Sequence, residues 1–101
     1  MEALRLSKKG YWMAMIDVRD PDVYKQYIEA NAVAFAKYGA KFTVRAGRYE
    51  SPEGATGNRH VLVEFDSYDK AIECYHSPEY QHASKFRLAA STGHFVIVEG
   101  A

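Results

Sequence analysis

Apolar and polar positions alternate in four stretches of the chain, and each of these stretches predicts a β-strand. Residues 11–18 are unusual because both faces of that strand are largely apolar, which is typical of a strand covered on both sides. In the second strand, alternation puts Phe42 and Val44 on one face and Arg45 on the other. The strands after the first are predicted over residues 41–46, 59–65 and 94–99.

Two helical stretches separate these strands, and each begins at a recognisable cap. Residues 20–22 combine a capping aspartate, a proline suited to the first turn and an acid at the positive end of the helix dipole. This helix is predicted to end at Tyr38, and Asn31 interrupts its apolar stripe. The second helix begins after Ser67. It should break where residues 77–79 repeat the cap, because helical geometry is disfavoured for the residue before a proline. The second segment should run to about Ala90 and end near Gly93.

The order of these elements is βαββ, a broken helix and a last strand. It predicts an α+β domain with the ferredoxin-like βαββαβ arrangement, a four-stranded antiparallel sheet with the helices on one face. Residues 1–9 are predicted to be a flexible tail, and residues 10–101 a single domain. Because the other face of the sheet is apolar and bare, we expect a homodimer in which two sheets meet face to face.

Composition narrows the functional classes. The 101 residues carry 13 basic and 13 acidic side chains, so there is no electrostatic reason to expect nucleic acid or an anionic membrane as a partner. No apolar run is long enough to span a bilayer, and the N-terminus lacks a signal-peptide core. The single cysteine, Cys74, excludes an internal disulfide, and together these features predict a cytoplasmic protein.

Two sets of polar residues lie among apolar positions and are candidates for a site. Asn31 must either bond a neighbour or line a pocket between helix and sheet, because a buried amide without partners costs about 1–3 kcal/mol. Arg45 and Glu64, on neighbouring strands, form either a structural ion pair or a site in which Arg45 anchors a carboxylate or carbonyl group.

The helix break supplies the remaining candidates. His76 is the nearby group whose ordinary pKa suits proton transfer at neutral pH, and Tyr80 and Arg87 are seven residues apart and share a helix face. The alternative is a capped turn with a surface histidine and an arginine ion pair. Catalytic motifs and zinc-type spacings are absent from the sequence, so we predict neither a metal nor a cofactor. The predicted pocket therefore consists of Asn31, Arg45, His76, Tyr80 and Arg87.

Several motifs together carry a family resemblance. They include Phe-Ala-Lys-Tyr-Gly at 35–39, Val-Arg-Ala-Gly at 44–47 and Tyr-His-Ser-Pro-Glu-Tyr at 75–80. The chain resembles the bacterial family known as domain of unknown function 1330, over roughly residues 10–100. The resemblance implies the dimeric α/β-barrel superfamily, which includes cofactorless monooxygenases, muconolactone isomerase-like enzymes, haem degraders and stress-response proteins. Ala46 departs from the family, which often has glycine there, and this matters if the backbone takes a positive φ.

Three functional hypotheses follow. The first is a small-molecule enzyme or binding protein that acts on an aromatic or enolisable compound without a cofactor, by analogy with the superfamily. The second is a non-catalytic dimeric module in stress response or protein interaction, in which the polar residues only satisfy one another. The third is haem binding, with His76 as the axial ligand. The residues alone do not distinguish an enzyme from a binding protein.

Overall fold

A computed structural model describes residues 8–101, so most of the tail predicted over residues 1–9 lies outside the described residues. The elements are β1 (Gly10–Val18), α1 (Pro21–Tyr38), β2 (Lys41–Arg45), β3 (Arg59–Phe65), α2 (Tyr68–His76), α3 (Pro78–Ala90) and β4 (Ser91–Glu99). The strands form one antiparallel sheet in the order β2-β3-β1-β4. The predicted βαββαβ order and ferredoxin-like fold are confirmed.

The predicted helix boundaries coincide with caps. The Asp20 side chain accepts a hydrogen bond from the backbone N–H of Val23, and Gly39 ends α1 in the left-handed conformation, with φ of 68°. Ser77 joins the two later helices: its hydroxyl accepts from the N–H of Tyr80 and donates to the carbonyl of Cys74. The helix break is therefore a fully bonded turn between α2 and α3.

Trp12, on β1, is the centre of the hydrophobic core. Only 2% of its surface is exposed, and its indole N–H donates to the carbonyl oxygen of Ala71 on α2 at 3.0 Å. Burying an indole without such an acceptor would leave a polar group unsatisfied. Five aromatic rings lie within 6 Å of the Trp12 ring, centroid to centroid: Phe35, Phe65, Tyr75, Tyr80 and Phe95.

The two faces of the sheet differ in cover. Trp12, Ala14 and Ile16 point into the helical layer and are buried, whereas Met13 and Met15 between them are 47% and 42% exposed. The open face continues the apolar surface onto both neighbours of β1 and onto β2, with Leu62, Val96, Val98 and Val44. An apolar sheet face of this kind is typical of an interface.

A β-bulge corrects the predicted faces of β2. Phe42 lies opposite Val63, but the register then shifts, so that Val44 lies opposite Leu62 and Arg45 comes next. The prediction that Phe42 and Val44 share a face was wrong, because an extra residue in one strand reverses the alternation that follows. Arg45 is consequently on the helix-covered face, with Phe42.

The last strand begins earlier than predicted. Helix α3 ends at Ala90 and β4 starts at Ser91, three residues before the predicted start. Gly93 does not end the helix but lies inside the strand with φ of 152°, where a Cβ atom would be 2.2 Å from the Met15 carbonyl oxygen. Glycine there permits β4 to pair closely with β1.

Candidate functional site

A narrow cleft opens between α1 and the covered face of the sheet. Its volume accessible to water is about 30 Å³, so it holds about one or two water molecules in this conformation. The largest group of side chains in its lining is aromatic: Trp12, Tyr24, Tyr27, Phe35, Phe42 and Phe95. Besides the two tyrosine hydroxyls, the polar groups of the lining are an amide and three guanidinium groups: Asn31, Arg45, Arg59 and Arg87.

Exposure distinguishes the inner end of the cleft from its mouth. Asn31 and Arg87 are only 6% and 8% exposed and lie at the inner end, on α1 and α3. Ile28 is 38% exposed and Arg45 is exposed as well, so these two side chains lie at the mouth. A ligand would therefore enter past Ile28 and Arg45 and meet Asn31 and Arg87 last.

Each of the three arginines lies over an aromatic ring of the lining. The guanidinium carbon is 3.8 Å from the Phe42 ring centroid for Arg45 and 5.2 Å from that of Tyr24 for Arg59. For Arg87 the corresponding ring is Phe95, at 5.0 Å. Cation–π contact holds a guanidinium group by its face and leaves its N–H edge free to donate.

Within the described part of the chain, these arginines have no acidic counterpart. Among the residues that line the cleft none is Asp or Glu, and within residues 8–101 none of the three arginines is part of an ion pair. The Nε of Arg59 is buried and has no hydrogen-bond acceptor in the described part of the chain. Buried cations are ordinarily paired, so the cleft has an excess of positive charge and of unused donors.

A chain of hydrogen bonds lies behind the inner end. The Tyr80 hydroxyl is 2.9 Å from the Tyr27 hydroxyl, and Arg87 donates from Nε to the Tyr80 oxygen at 3.3 Å. Arginine cannot accept, so Tyr80 accepts from Arg87 and shares its other hydrogen bond with Tyr27. The Tyr27 hydroxyl lines the cleft beside Asn31, which is a further hydrogen-bond partner of that hydroxyl.

Burial keeps both hydroxyls of this chain protonated at neutral pH. It raises the pKa of Tyr27 well above its ordinary value, and the neighbouring Tyr80 raises it further, whereas Asn31 acts in the opposite direction. Burial also raises the pKa of Tyr80, and the positive charge of Arg87 counters part of that effect. Tyr27 is consequently a hydrogen-bond donor at neutral pH rather than a base.

Arg45 and Glu64 do not form the ion pair that was one of the two readings of the sequence. The bulge in β2 puts Arg45 on the covered face, whereas Glu64 is on the open face and accepts a hydrogen bond from the Tyr11 hydroxyl at 3.2 Å. Opposite faces of a sheet are too far apart for contact between these side chains.

The structure places the other predicted pocket residues in three positions relative to the cleft: in its lining, behind it and outside it. Asn31 and Arg87 line the cleft with Arg45, and Tyr80 lies behind it, bonded to Arg87. His76 is exposed at the end of α2 and is not part of the lining. The lining therefore includes no histidine or carboxylate that could act as a general base.

Arg59 belongs to the cleft but was not among the predicted residues. It begins β3, whose buried positions Val63 and Phe65 have the same parity in the sequence. An arginine in register with a buried stripe is a signal that its side chain extends along the covered face. That signal was present in the sequence and could have identified Arg59.

Two further features bear on function. Across residues 8–101, no cluster of three or more His, Cys, Asp or Glu side chains is arranged to hold a metal ion. In the same range, every helix is too short or too polar to cross a membrane.

Comparison with protein families gives one match, to the domain of unknown function DUF1330, over residues 9–101. The chain belongs to this family. The match confirms the resemblance drawn from the sequence motifs and covers the whole βαββαβ domain. No protein of curated function matches the chain.

Solved structures with the same fold include proteins of several kinds. A protein of unknown function from Rhodopseudomonas palustris is 18% identical with a TM-score of 0.75, and the alignment covers 99% of this chain and 88% of that one. The oxygenase SnoaB from Streptomyces nogalater, described as cofactor-independent, is 13% identical with a TM-score of 0.64, covering 94% and 95%. A dimeric ferredoxin-like protein from Bacteroides fragilis is 21% identical with a TM-score of 0.61, covering 94% and 99%. At these identities the likeness shows the fold alone.

Proposed function

We propose that this protein is a homodimer that binds a small aromatic or enolisable compound, without a cofactor, in the cleft of each protomer. The observation that carries the proposal is the composition of the cleft, in which aromatic walls surround converging polar groups at the inner end. Small-molecule sites are typically apolar and aromatic with a few placed polar groups. The cofactor-independent oxygenase among the structural neighbours supports such a site in this fold.

The open sheet face supports the dimer. Met13, Met15 and Val96 expose apolar surface at its centre. A second copy of the chain would cover this face with the same residues, and three structural neighbours are described as dimeric ferredoxin-like proteins. In such a dimer each cleft remains on the far side of its own sheet, so both clefts stay open.

The cleft is better suited to stabilising a bound ligand than to removing a proton from it. Arginine stays protonated, Tyr27 has a raised pKa, and the lining offers no carboxylate or histidine. His76, the proton-transfer candidate of the sequence, lies outside the cleft. A reaction here would start from a compound that reaches the protein already ionised or that ionises by itself.

A matched pair of variants tests the binding site. Ile28→Trp should close the mouth of the cleft, whereas Val33→Trp, on the same helix but 62% exposed and outside the lining, should not. A panel of flat aromatic compounds would be screened by amide chemical shifts of the homodimer. We expect hits that shift cleft resonances and that lose at least about tenfold in affinity only in Ile28→Trp. Hits that bind both variants equally would contradict the proposal.

A non-catalytic module is the second candidate. The observation in its favour is the small volume of the cleft, about 30 Å³, which is less than any aromatic compound needs unless side chains at the mouth move. Mass spectrometry of the native and the denatured protein distinguishes the two candidates. A retained small molecule supports the binding protein. A panel without any hit, together with no retained molecule, supports the module.

A further inference from the structure

We propose that the cleft selects ligands that carry a negative charge, a carboxylate, phenolate or enolate group, and that Arg45, Arg59 and Arg87 recognise that charge. The inference rests on the proposed function, because it specifies the ligand class of the same cleft. It starts from the charges of the lining, which are three cations and no anion.

The first argument is the missing counter-charge. A guanidinium group that is withdrawn from water ordinarily has a carboxylate partner, since an unpaired buried charge is unfavourable. Arg87 is only 8% exposed, yet the group that accepts a hydrogen bond from its side chain is the Tyr80 hydroxyl, which is neutral. An anionic ligand would supply the missing partner.

The second argument is orientation. Arg45, Arg59 and Arg87 lie over the rings of Phe42, Tyr24 and Phe95. Arg87 donates from Nε to the Tyr80 hydroxyl, and within residues 8–101 none of the three guanidinium groups donates to a carboxylate. Bidentate donation from the edge of a guanidinium group matches the two oxygens of a carboxylate. The buried and unpartnered Nε of Arg59 is one donor of this kind that has no acceptor in the described chain.

The third argument concerns the neutral donor at the inner end. Tyr80 receives a hydrogen bond from Arg87 and shares one with Tyr27, whose hydroxyl lines the cleft beside Asn31. A buried hydroxyl that keeps its proton can donate it to an anionic oxygen. Tyr80 is then a positioning residue for Tyr27, and the donors of the cleft are suited to one acceptor-rich group.

The arrangement also separates the two parts of a ligand. The charged group is expected to contact the guanidinium edges and Tyr27. The flat body is expected to lie against the rings of Trp12 and Phe35, which pack edge to face and carry no charge. Arg45, exposed at the mouth, can swing away to admit the ligand and return to cover it, because its side chain has no ion pair to break in the described residues.

The test uses two probes of nearly equal shape, 2-naphthoate and 2-naphthamide, with the full-length homodimer at pH 7. Their affinities would be measured by calorimetry, and binding at the cleft would be verified by amide chemical shifts. We expect 2-naphthoate to bind at least about tenfold more tightly than the amide, the effect of about one charge-assisted hydrogen bond. Its affinity should also fall as the salt concentration rises.

Variants assign the charge selection to the arginines. Arg59→Gln should remove about tenfold from the affinity for 2-naphthoate and change that for 2-naphthamide less than about twofold. Arg59→Lys keeps the charge but loses the planar fork, so it should restore only part of the affinity. Arg48→Gln, an exposed arginine outside the lining, is the matched control and should have no effect.

The outcomes separate the two proposals. If both probes bind in the cleft with similar affinity, or if Arg48→Gln weakens 2-naphthoate as much as Arg59→Gln does, the inference of charge selection is wrong although the binding site stands. If neither probe binds in the cleft, and the aromatic panel also gives no hit there, the proposed function fails and the inference fails with it. If only the amide binds, the charge preference is reversed and the inference is likewise overturned.

Discussion

The hydroxyl groups of Tyr27 and Tyr80 lie 2.9 Å apart, although one residue is on α1 and the other on α3. Arg87 donates to the same Tyr80 oxygen, so three buried polar groups form one chain behind the cleft. Chains of this kind are strong when every member is satisfied and unfavourable when one is removed. The relationship therefore connects the packing of the two helices with the geometry of the site.

Removal of the Tyr80 hydroxyl should be more damaging than removal of the Tyr27 hydroxyl. Tyr80→Phe removes a hydrogen-bond partner of both Tyr27 and Arg87, and we expect it to lower the free energy of unfolding by about 1–3 kcal/mol. Tyr27→Phe removes one of the two partners of Tyr80, which keeps its hydrogen bond from Arg87, and should therefore have the smaller effect. Urea denaturation of both variants and of the double variant measures the coupling.

The matched control for this pair is Tyr49→Phe. Tyr49 is 53% exposed and outside the buried chain, so the loss of its hydroxyl should change stability by less than about 0.5 kcal/mol. Equal effects at Tyr27 and Tyr80, or a double variant that equals the sum of the two single variants, would contradict the chain of bonds described here.

Sequence periodicity predicted most of this fold because short-range signals agree with one another. The caps at Asp20 and Ser77 fix where helices begin, and alternation assigned the faces of the first strand. The errors have physical causes. The bulge in β2 depends on how this strand pairs with β3, which the local sequence does not express. Glycine is needed at position 93 because the backbone there lies very close to Met15, and not because a helix ends there.

Replacement of Ala46 by glycine should stabilise the protein. Ala46 has φ of 52°, the only positive value of a non-glycine residue within residues 8–101. A side chain with a Cβ atom is disfavoured there, so alanine at this position is a source of strain. We expect Ala46→Gly to raise the free energy of unfolding by about 0.5–1 kcal/mol, because the relief of strain exceeds the added freedom of glycine in the unfolded chain, measured by thermal or chemical denaturation.

Ala55→Gly is the control for that prediction. Ala55 is an exposed residue in the same connection between β2 and β3, and its φ is not positive. Glycine there only adds freedom to the unfolded chain and should lower stability by about 0.4–1 kcal/mol. If both substitutions shift stability in the same direction, the backbone of Ala46 is not strained.

The open sheet face should respond to a buried charge if it is a dimer interface. Val96 lies opposite Met13 at the centre of this face and is 51% exposed in the single chain. Val96→Glu would bury two like charges in a two-fold dimer, so we expect a monomer in sedimentation velocity at micromolar concentration. Val33→Glu, on α1 and more exposed, should leave the oligomeric state unchanged.

The candidate site was only partly predictable. Asn31 stands out in the sequence because it is polar in an apolar stripe, and Arg87 because it shares a helix face with Tyr80 near the helix break; both line the cleft. Arg45 could be assigned to a face only after the bulge was known, and Arg59 was overlooked although its register follows Val63. His76 was selected for its ordinary pKa, a property of the residue type that says nothing about where its side chain lies.

The thiol of Cys74 should make the protein less stable in alkali. Burial raises the pKa of Cys74 from 9.0 to about 12 in the folded protein. Above pH 9 the unfolded chain loses this proton while the folded chain keeps it, so the free energy of unfolding falls between pH 9 and 12, by at most about 1.4 kcal/mol per pH unit. Below pH 9 the thiol contributes no pH dependence.

Cys74→Ala removes this contribution, so its stability should decline less steeply between pH 9 and 10 than that of the wild type, in urea denaturation at closely spaced pH values. Ionisation of Tyr24, Tyr27 and Tyr80 in the unfolded chain also contributes to the decline, but it does so equally in both proteins, so the difference in slope comes from Cys74. Ala83→Gly, a buried helical position without an ionisable group, lowers stability while keeping the wild-type slope. Parallel slopes for Cys74→Ala and the wild type would mean that the folded thiol ionises as readily as the unfolded one, and that Cys74 is accessible to water.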